Sequence, residues 1–282
     1  MNPATRFLNF FVYSNLFIAA CTVLMVNQTS KYLLKQLPDR SLLLFVFFST
    51  ICSYSFHWFL TSESKVQLPR ITWVKKNKAV HLVLFVIGLV GAAFYFFELI
   101  EWWRWLVLAA IITFLYSAPK IPHRWFRALR KVAIGKTISL ALVWTYVTAI
   151  LPVIVEESRW TTDVILYAIS RFFFIYAICI LFDFRDREDD QAAGIRSMVT
   201  WFSEKNVNRL FYASVFICYC TVIALHFYGY SWQGIILLLI PAVITQLMYR
   251  YAKNNFSDML YYFILDGLMM LSALLMLIFG FG

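Results

Sequence analysis

Apolar runs of about 16 to 25 residues, separated by short polar or basic clusters, recur along the whole chain. About 20 such residues carry a helix across the hydrocarbon core of a bilayer, so the pattern predicts transmembrane helices. The first half reads as four spans, at about Phe7 to Asn27, Ser41 to Thr61, Ala79 to Phe97 and Trp103 to Ala118. The second half adds five, at about Val132 to Val155, Val164 to Phe182, Asn208 to Tyr228, Gln233 to Tyr251 and Ser257 to Phe281. What remains is too short for a soluble domain. The expected fold is therefore an all-α integral membrane protein, a single domain over residues 1–282 with nine transmembrane helices. An internal duplication would pair 1–131 with 132–256 and leave a final helix, although the two halves match only weakly residue by residue.

Composition agrees with this pattern: 62% of residues are hydrophobic and 14% charged, which excludes a water-exposed globular domain. The excess of 25 Lys and Arg over 15 Asp and Glu is not a nucleic-acid footprint. These charges lie beside membrane helices, where attraction to anionic lipid accounts for them. They are also unevenly divided. One side carries the N-terminus and basic clusters around Arg70 to Lys78, Lys120 to Lys131, Arg185 to Arg209 and Arg250 to Lys253. The other holds Lys31, Lys35, Arg40, Arg104 and Arg159, with Arg171 counted provisionally among them. The positive-inside rule places the N-terminus and the basic loops in the cytoplasm and the C-terminus opposite. Arg6 and the apolar run after it read as an uncleaved first helix, and all five cysteines fall in spans as packing residues.

Three inward loops are long enough to carry chemistry, at about Ser62 to Lys78, Pro119 to Lys131 and Asp183 to Val207. In the third, Asp183, Asp186 and Asp190 are spaced by three and four, which puts them on one helical face. Acids at a helix C-terminus oppose the macrodipole by about 0.3–1 kcal/mol each. A divalent cation resolves that conflict, because Mg²⁺ takes one or two carboxylates together with water and phosphate oxygens. Pairing of these acids with Arg185 and Arg187 in a solvated loop is the competing reading. Arg70, Lys120 and Arg124 on neighbouring loops have the charge to hold a diphosphate. Lys136 and Asp266 are ionisable residues inside predicted spans, a costly placement that points to a polar cavity or a partner. They could pair, or Lys136 could snorkel to the nearby interface.

Taken together, the nine helices, the polar inward loops and Asp183-x-x-Asp186-x-x-x-Asp190 followed by Gly194-Ile195-Arg196-Ser197 resemble the UbiA superfamily of intramembrane prenyltransferases. Tyr116-Ser117-Ala118-Pro119-Lys120, then Arg124 and Gly135, are similar to that family's Tyr-Ser-x-Pro segment and its basic continuation. The resemblance implies helices around a central cavity, Mg²⁺ as cofactor, and transfer of a prenyl group from an isoprenoid diphosphate to a lipophilic acceptor. It implies Asp183, Asp186 and Asp190 as metal ligands, Lys120 and Arg124 as catalytic diphosphate contacts and Tyr116 at the reacting end, while Arg70 and Lys136 join the candidate substrate contacts by charge and Glu63 the candidate metal ligands. The family's first Asp-rich motif maps by spacing onto Ser55, Phe56, Phe59 and Glu63, where only Glu63 keeps a carboxylate. A terpene cyclase on the same scaffold and a non-catalytic isoprenoid-binding membrane protein are the alternatives that this departure raises.

Overall fold

The structure is a computed structural model that describes residues 2–60, 69–117, 134–192 and 197–281, with the side chains of residues 134–136, 189 and 192 left aside. Its first elements are α1 (Pro3–Tyr13), α2 (Leu16–Gln28, continued by a π-helical stretch Thr29–Leu33), α3 (Arg40–Leu60), α4 (Pro69–Lys76), α5 (Lys78–Glu98) and α6 (Trp103–Ser117). The second half has α7 (Ile134–Thr145), which runs through a π-helical stretch Tyr146–Ile150 into a last turn Leu151–Val155. Next come α8 (Thr162–Arg185), the short α9 (Arg187–Ala192) and α10 (Met198–Trp201), α11 (Glu204–Ala224) and α12 (Trp232–Asn254). The last helix, α13 (Asp266–Ile278), follows a π-helical stretch Leu260–Leu265.

Eight of these helical stretches are long and apolar enough to cross a membrane, and α1 with α2 makes a ninth that is bent by 62°. The bend corrects the expected first span, which was to run straight from Phe7. Ser14 and Asn15 interrupt the apolar run, and Asn15 takes a left-handed backbone at φ 69°, a conformation that Asn tolerates better than most side chains. The second arm of the bent pair begins at Leu16, and Asn15 sits fully buried at the corner.

The helices form a ring. Helix α2 packs on α3, α3 on α5, α6 on α7, α7 on α8, α8 on α11, α11 on α12 and α12 on α13, which returns to α2. The closest packing is between α3 and α5, where a Cβ on Gly88 would come within 2.6 Å of the Cys52 backbone nitrogen. The absent side chain lets two backbones approach, as small residues do at helix interfaces in lipid. The rest of α5 is apolar on its outer surface, with Leu82, Val86, Leu89 and Val90 exposed, as a lipid-facing helix must be.

Helix α8 is the most enclosed of the spans. Arg171, counted provisionally with the outward charges, is buried within it and donates to the Gln28 Oε1 at 2.9 Å and to the Tyr167 hydroxyl. The physical reason is the price of an unsatisfied cation in hydrocarbon, which a glutamine on the facing α2 reduces.

Candidate active site

One end of the ring gathers the residues with chemistry. Asp183 lies in the last turn of α8, almost fully buried, and its Oδ2 accepts a 2.5 Å hydrogen bond from the Thr137 hydroxyl on α7. The helix ends at Arg185 with Asp186 as its cap, and α9 starts at Arg187. Asp186 therefore stands at a helix junction, not within one continuous face as the spacing predicts. The Asp190 amide still donates to the Asp186 carbonyl at 2.8 Å, so a helical path continues across the junction, and the Asp190 side chain is buried.

Arg185, between these acids, forks onto Asp186: its Nε and Nη2 donate to Oδ1 at 2.9 and 2.7 Å. Its guanidinium also lies 4.4 Å from the ring centre of Tyr262. On the other face of the site, the Arg70 guanidinium is held 4.0 Å from Trp58 and 3.9 Å from Tyr262. Its Nη2 donates to the Asn15 Oδ1 at 2.7 Å. The corner at Asn15 thus has a purpose in this geometry, because the same amide donates to Ser55 on α3 and accepts from Arg70. Asp258, at the entrance to the last helix, accepts the backbone N–H of Arg70 at 2.6 Å and so ties α4 to the α12–α13 connection. Burial pushes the Arg70 guanidinium down from its usual range. An arginine remains protonated at neutral pH regardless.

Two guanidinium groups consequently share the ring of Tyr262. Each keeps one buried N–H without an acceptor among the described residues, Nε of Arg70 and Nη1 of Arg185. A buried charged donor left unpaired costs more than about 1–3 kcal/mol, so these groups are suited to an anionic oxygen.

Of the first-motif positions, Ser55 faces the interior, fully buried against Asn15. Phe56 and Phe59 do not. With Leu82 and Phe85 of α5 they line an apolar cavity of about 110 Å³, and Phe59 is 39% exposed. The inward face of α3 instead presents Ser55, Trp58 and Tyr54, whose hydroxyl accepts from the Trp144 indole at 3.2 Å. Tyr116, on α6, stacks on His57 with ring centres 5.4 Å apart, and His57 Nδ1 is 3.2 Å from the Ser117 hydroxyl. Glu63, Lys120 and Arg124 lie outside the described residues, as does the side chain of Lys136.

Among the described residues, no three His, Cys, Asp or Glu side chains are grouped to hold a metal ion together. The donor chemistry still suits Mg²⁺, a hard ion that takes one or two carboxylates and completes its shell with water and phosphate. Asn15, Trp58, Thr137, Arg185, Asp258 and Tyr262 belong to the site although spacing did not single them out as ligands. The Ser14-Asn15 pair inside an apolar run was a usable signal for one of them, and nothing local marks Thr137.

The sequence model of the UbiA prenyltransferase family matches residues 70–265. No curated protein matches the chain. Among solved structures, the fold resembles that described as the apo structure of a UbiA homolog from Aeropyrum pernix K1. The two share 14% identity at a TM-score of 0.57, over 94% of this chain and 97% of the other. Family match, helical ring and polar end agree, and the chain belongs to the UbiA prenyltransferase family.

Proposed function

We propose that this protein ionises an isoprenoid diphosphate with Mg²⁺ at the inner end of the bundle and transfers the prenyl group to a lipophilic acceptor within the membrane. Family membership supports prenyltransferase chemistry in general. The observation that carries the finer reading is the pair of buried guanidinium groups, Arg70 and Arg185, which share the Tyr262 ring and each keep an N–H unpartnered among the described residues, with the Asp186 carboxylate held on Arg185. An anion with several oxygens matches the first group, and a cation shared with that anion matches the second.

Asp183, Asp186 and Asp190 would hold Mg²⁺, with Glu63 a fourth carboxylate assigned by sequence alone. The ion, when bound, neutralises the charge that builds on the departing diphosphate. Arg70 and Arg185 take up further negative charge, and Lys120, Arg124 and Lys136 extend the basic rim in sequence. Thr137 orients the Asp183 carboxylate, Trp58 and Tyr262 hold the Arg70 guanidinium by their ring faces, and Tyr116 lines the reacting end of the cavity. The basic clusters flanking this end support a cytoplasmic location for it and for the N-terminus.

Phe56 and Phe59 turned toward α5 favour a second reading, a chain that binds isoprenoid diphosphate without turning it over. One experiment separates the two. Purified protein is given geranyl, farnesyl and geranylgeranyl diphosphate with and without Mg²⁺, and diphosphate release is followed beside Asp186→Asn. The transferase reading expects Mg²⁺-dependent release that falls at least 100-fold in the variant. Cyclic hydrocarbons in the organic extract would assign a cyclase, and binding without release would assign the non-catalytic protein.

A further inference from the structure

One carboxylate deep in the bundle has no part in the site described above. Asp266 opens α13, four residues beyond Tyr262. That spacing keeps both side chains near one face of the helix and sets Asp266 about 6 Å farther from the inner mouth than the ring shared by Arg70 and Arg185. Among the described residues it has neither a hydrogen bond nor an ion pair, and it is only half-buried while its neighbours on the same helix, Leu265 and Leu268, are enclosed. Four groups face it electrostatically: Cys21 of α2, Tyr54 of α3, Arg70 and Arg185. Cys21 and Arg70 are buried within the ring, so Asp266 faces its interior on that side. A carboxylate in hydrocarbon without a partner costs several kcal/mol and persists where function requires it.

We propose that Asp266 is the base of the cavity, accepting the proton that the acceptor loses when it bonds to the prenyl carbon. The assignment rests on the prenyltransferase reading and adds a step to it. The C1–O bond of the isoprenoid diphosphate breaks, its electron pair leaves on the diphosphate, and an electron pair of the acceptor forms the new bond to C1. The proton displaced from the acceptor passes to an Asp266 oxygen and is returned to solvent when product leaves. The departing diphosphate is a poorer base here, because Arg70 and Arg185 draw on its oxygens at the mouth. Asp266 sits beyond that rim, on the side where a prenyl chain and a lipophilic acceptor meet. The spacing of a carboxylate one turn above two cations separates the charge-holding task from the proton-accepting one.

The test has a binding arm and a kinetic arm. N,N′-dicyclohexylcarbodiimide attacks protonated carboxyl groups in apolar surroundings, and the peptide containing Asp266 is followed by mass spectrometry in wild-type protein. Labelling at Asp266 that farnesyl thiolodiphosphate, an analogue that does not ionise, suppresses at least fivefold is the expected result. In the kinetic arm, farnesyl diphosphate is supplied with Mg²⁺, water serves as the acceptor, and farnesol is measured. Asp266→Asn should lower kcat at least 30-fold with KM within threefold, and Asp266→Glu should recover part of the loss. A kcat within threefold of wild type, or labelling that the analogue leaves unchanged, overturns the assignment. Wild-type turnover that Asp266→Asn does not affect defeats this step alone. Absence of wild-type turnover defeats the prenyltransferase reading, and protection from labelling then still decides whether Asp266 lies in the isoprenoid cavity.

Discussion

At the scale of single residues, the inner site depends on satisfying arginine in a low-dielectric setting. Arg70 is surrounded by Trp58, Tyr262 and Tyr13, and rings attract a guanidinium through their faces but supply no acceptor for its N–H groups. Asn15 supplies one, and that is the reason a polar residue is tolerated at a fully buried corner. Asn15→Leu removes the acceptor and leaves a buried charged donor unpaired, an expected cost of more than about 1–3 kcal/mol. Thermal unfolding in a fixed detergent should therefore show a clear fall in midpoint, and an unchanged midpoint would mean that the rings alone anchor Arg70. Arg70 was legible in the sequence as a candidate phosphate contact because it lies in an inward basic loop. Its partners were not, since Asn15 is 55 residues away in the chain and only the fold brings them together.

At the scale of elements, the rotation of α3 decides which side chains the cavity receives. Phe48, Cys52, Phe56 and Phe59 form one stripe along α3, and it meets Gly91, Gly88, Phe85 and Leu82 of α5 in antiparallel register. Gly88 fixes the approach because an added Cβ would strike backbone atoms of Cys52 and Phe48, at 2.6 and 2.9 Å. At Gly91 the same addition would meet only the Phe48 ring, which can move. Gly88→Ala should accordingly destabilise the protein by about 1–3 kcal/mol through overpacking, and Gly91→Ala by clearly less. Melting midpoints of the two variants measured side by side check the order, and equal losses would show that the ring of Phe48 is as rigid as backbone. Motif spacing assigned Phe56, Phe59 and Glu63 to one working face. The glycine contact turns the two rings toward α5, and Ser55 and Trp58 take the inward positions, while Glu63 lies outside the described residues.

At the scale of the whole molecule, the ring closes where α13 packs on α2, so the first and last spans jointly wall the site. The pairing of Gln28 with Arg171, Tyr167 and Ser272 links α2, α8 and α13 farther along the ring, and it satisfies a buried cation without an acidic partner. With the bent α1–α2 pair as one span the crossings number nine, which predicts termini on opposite sides, and the basic loops predict an inward N-terminus. A reporter active only in the cytoplasm should be active when fused before Asn2 and silent when fused after Phe281. Activity at both ends would show that the bent α1–α2 pair does not cross.

The sequence by itself determined the class of protein and the places of its spans, because a helix in lipid must satisfy its backbone internally and an apolar run of membrane length leaves few alternatives. It also exposed the acidic residues at the end of α8 and the lone Asp266, since charge in or beside an apolar run is conspicuous. Only the tertiary structure decided the break at Asn15, the turning of α3, the capping of α8 at Asp186 and the shared ring between Arg70 and Arg185. The turning of α3 and the shared ring depend on contacts between residues far apart in the chain. Hydropathy follows from the solvent around a segment, whereas the facing of a side chain follows from whichever neighbouring helix can approach most closely.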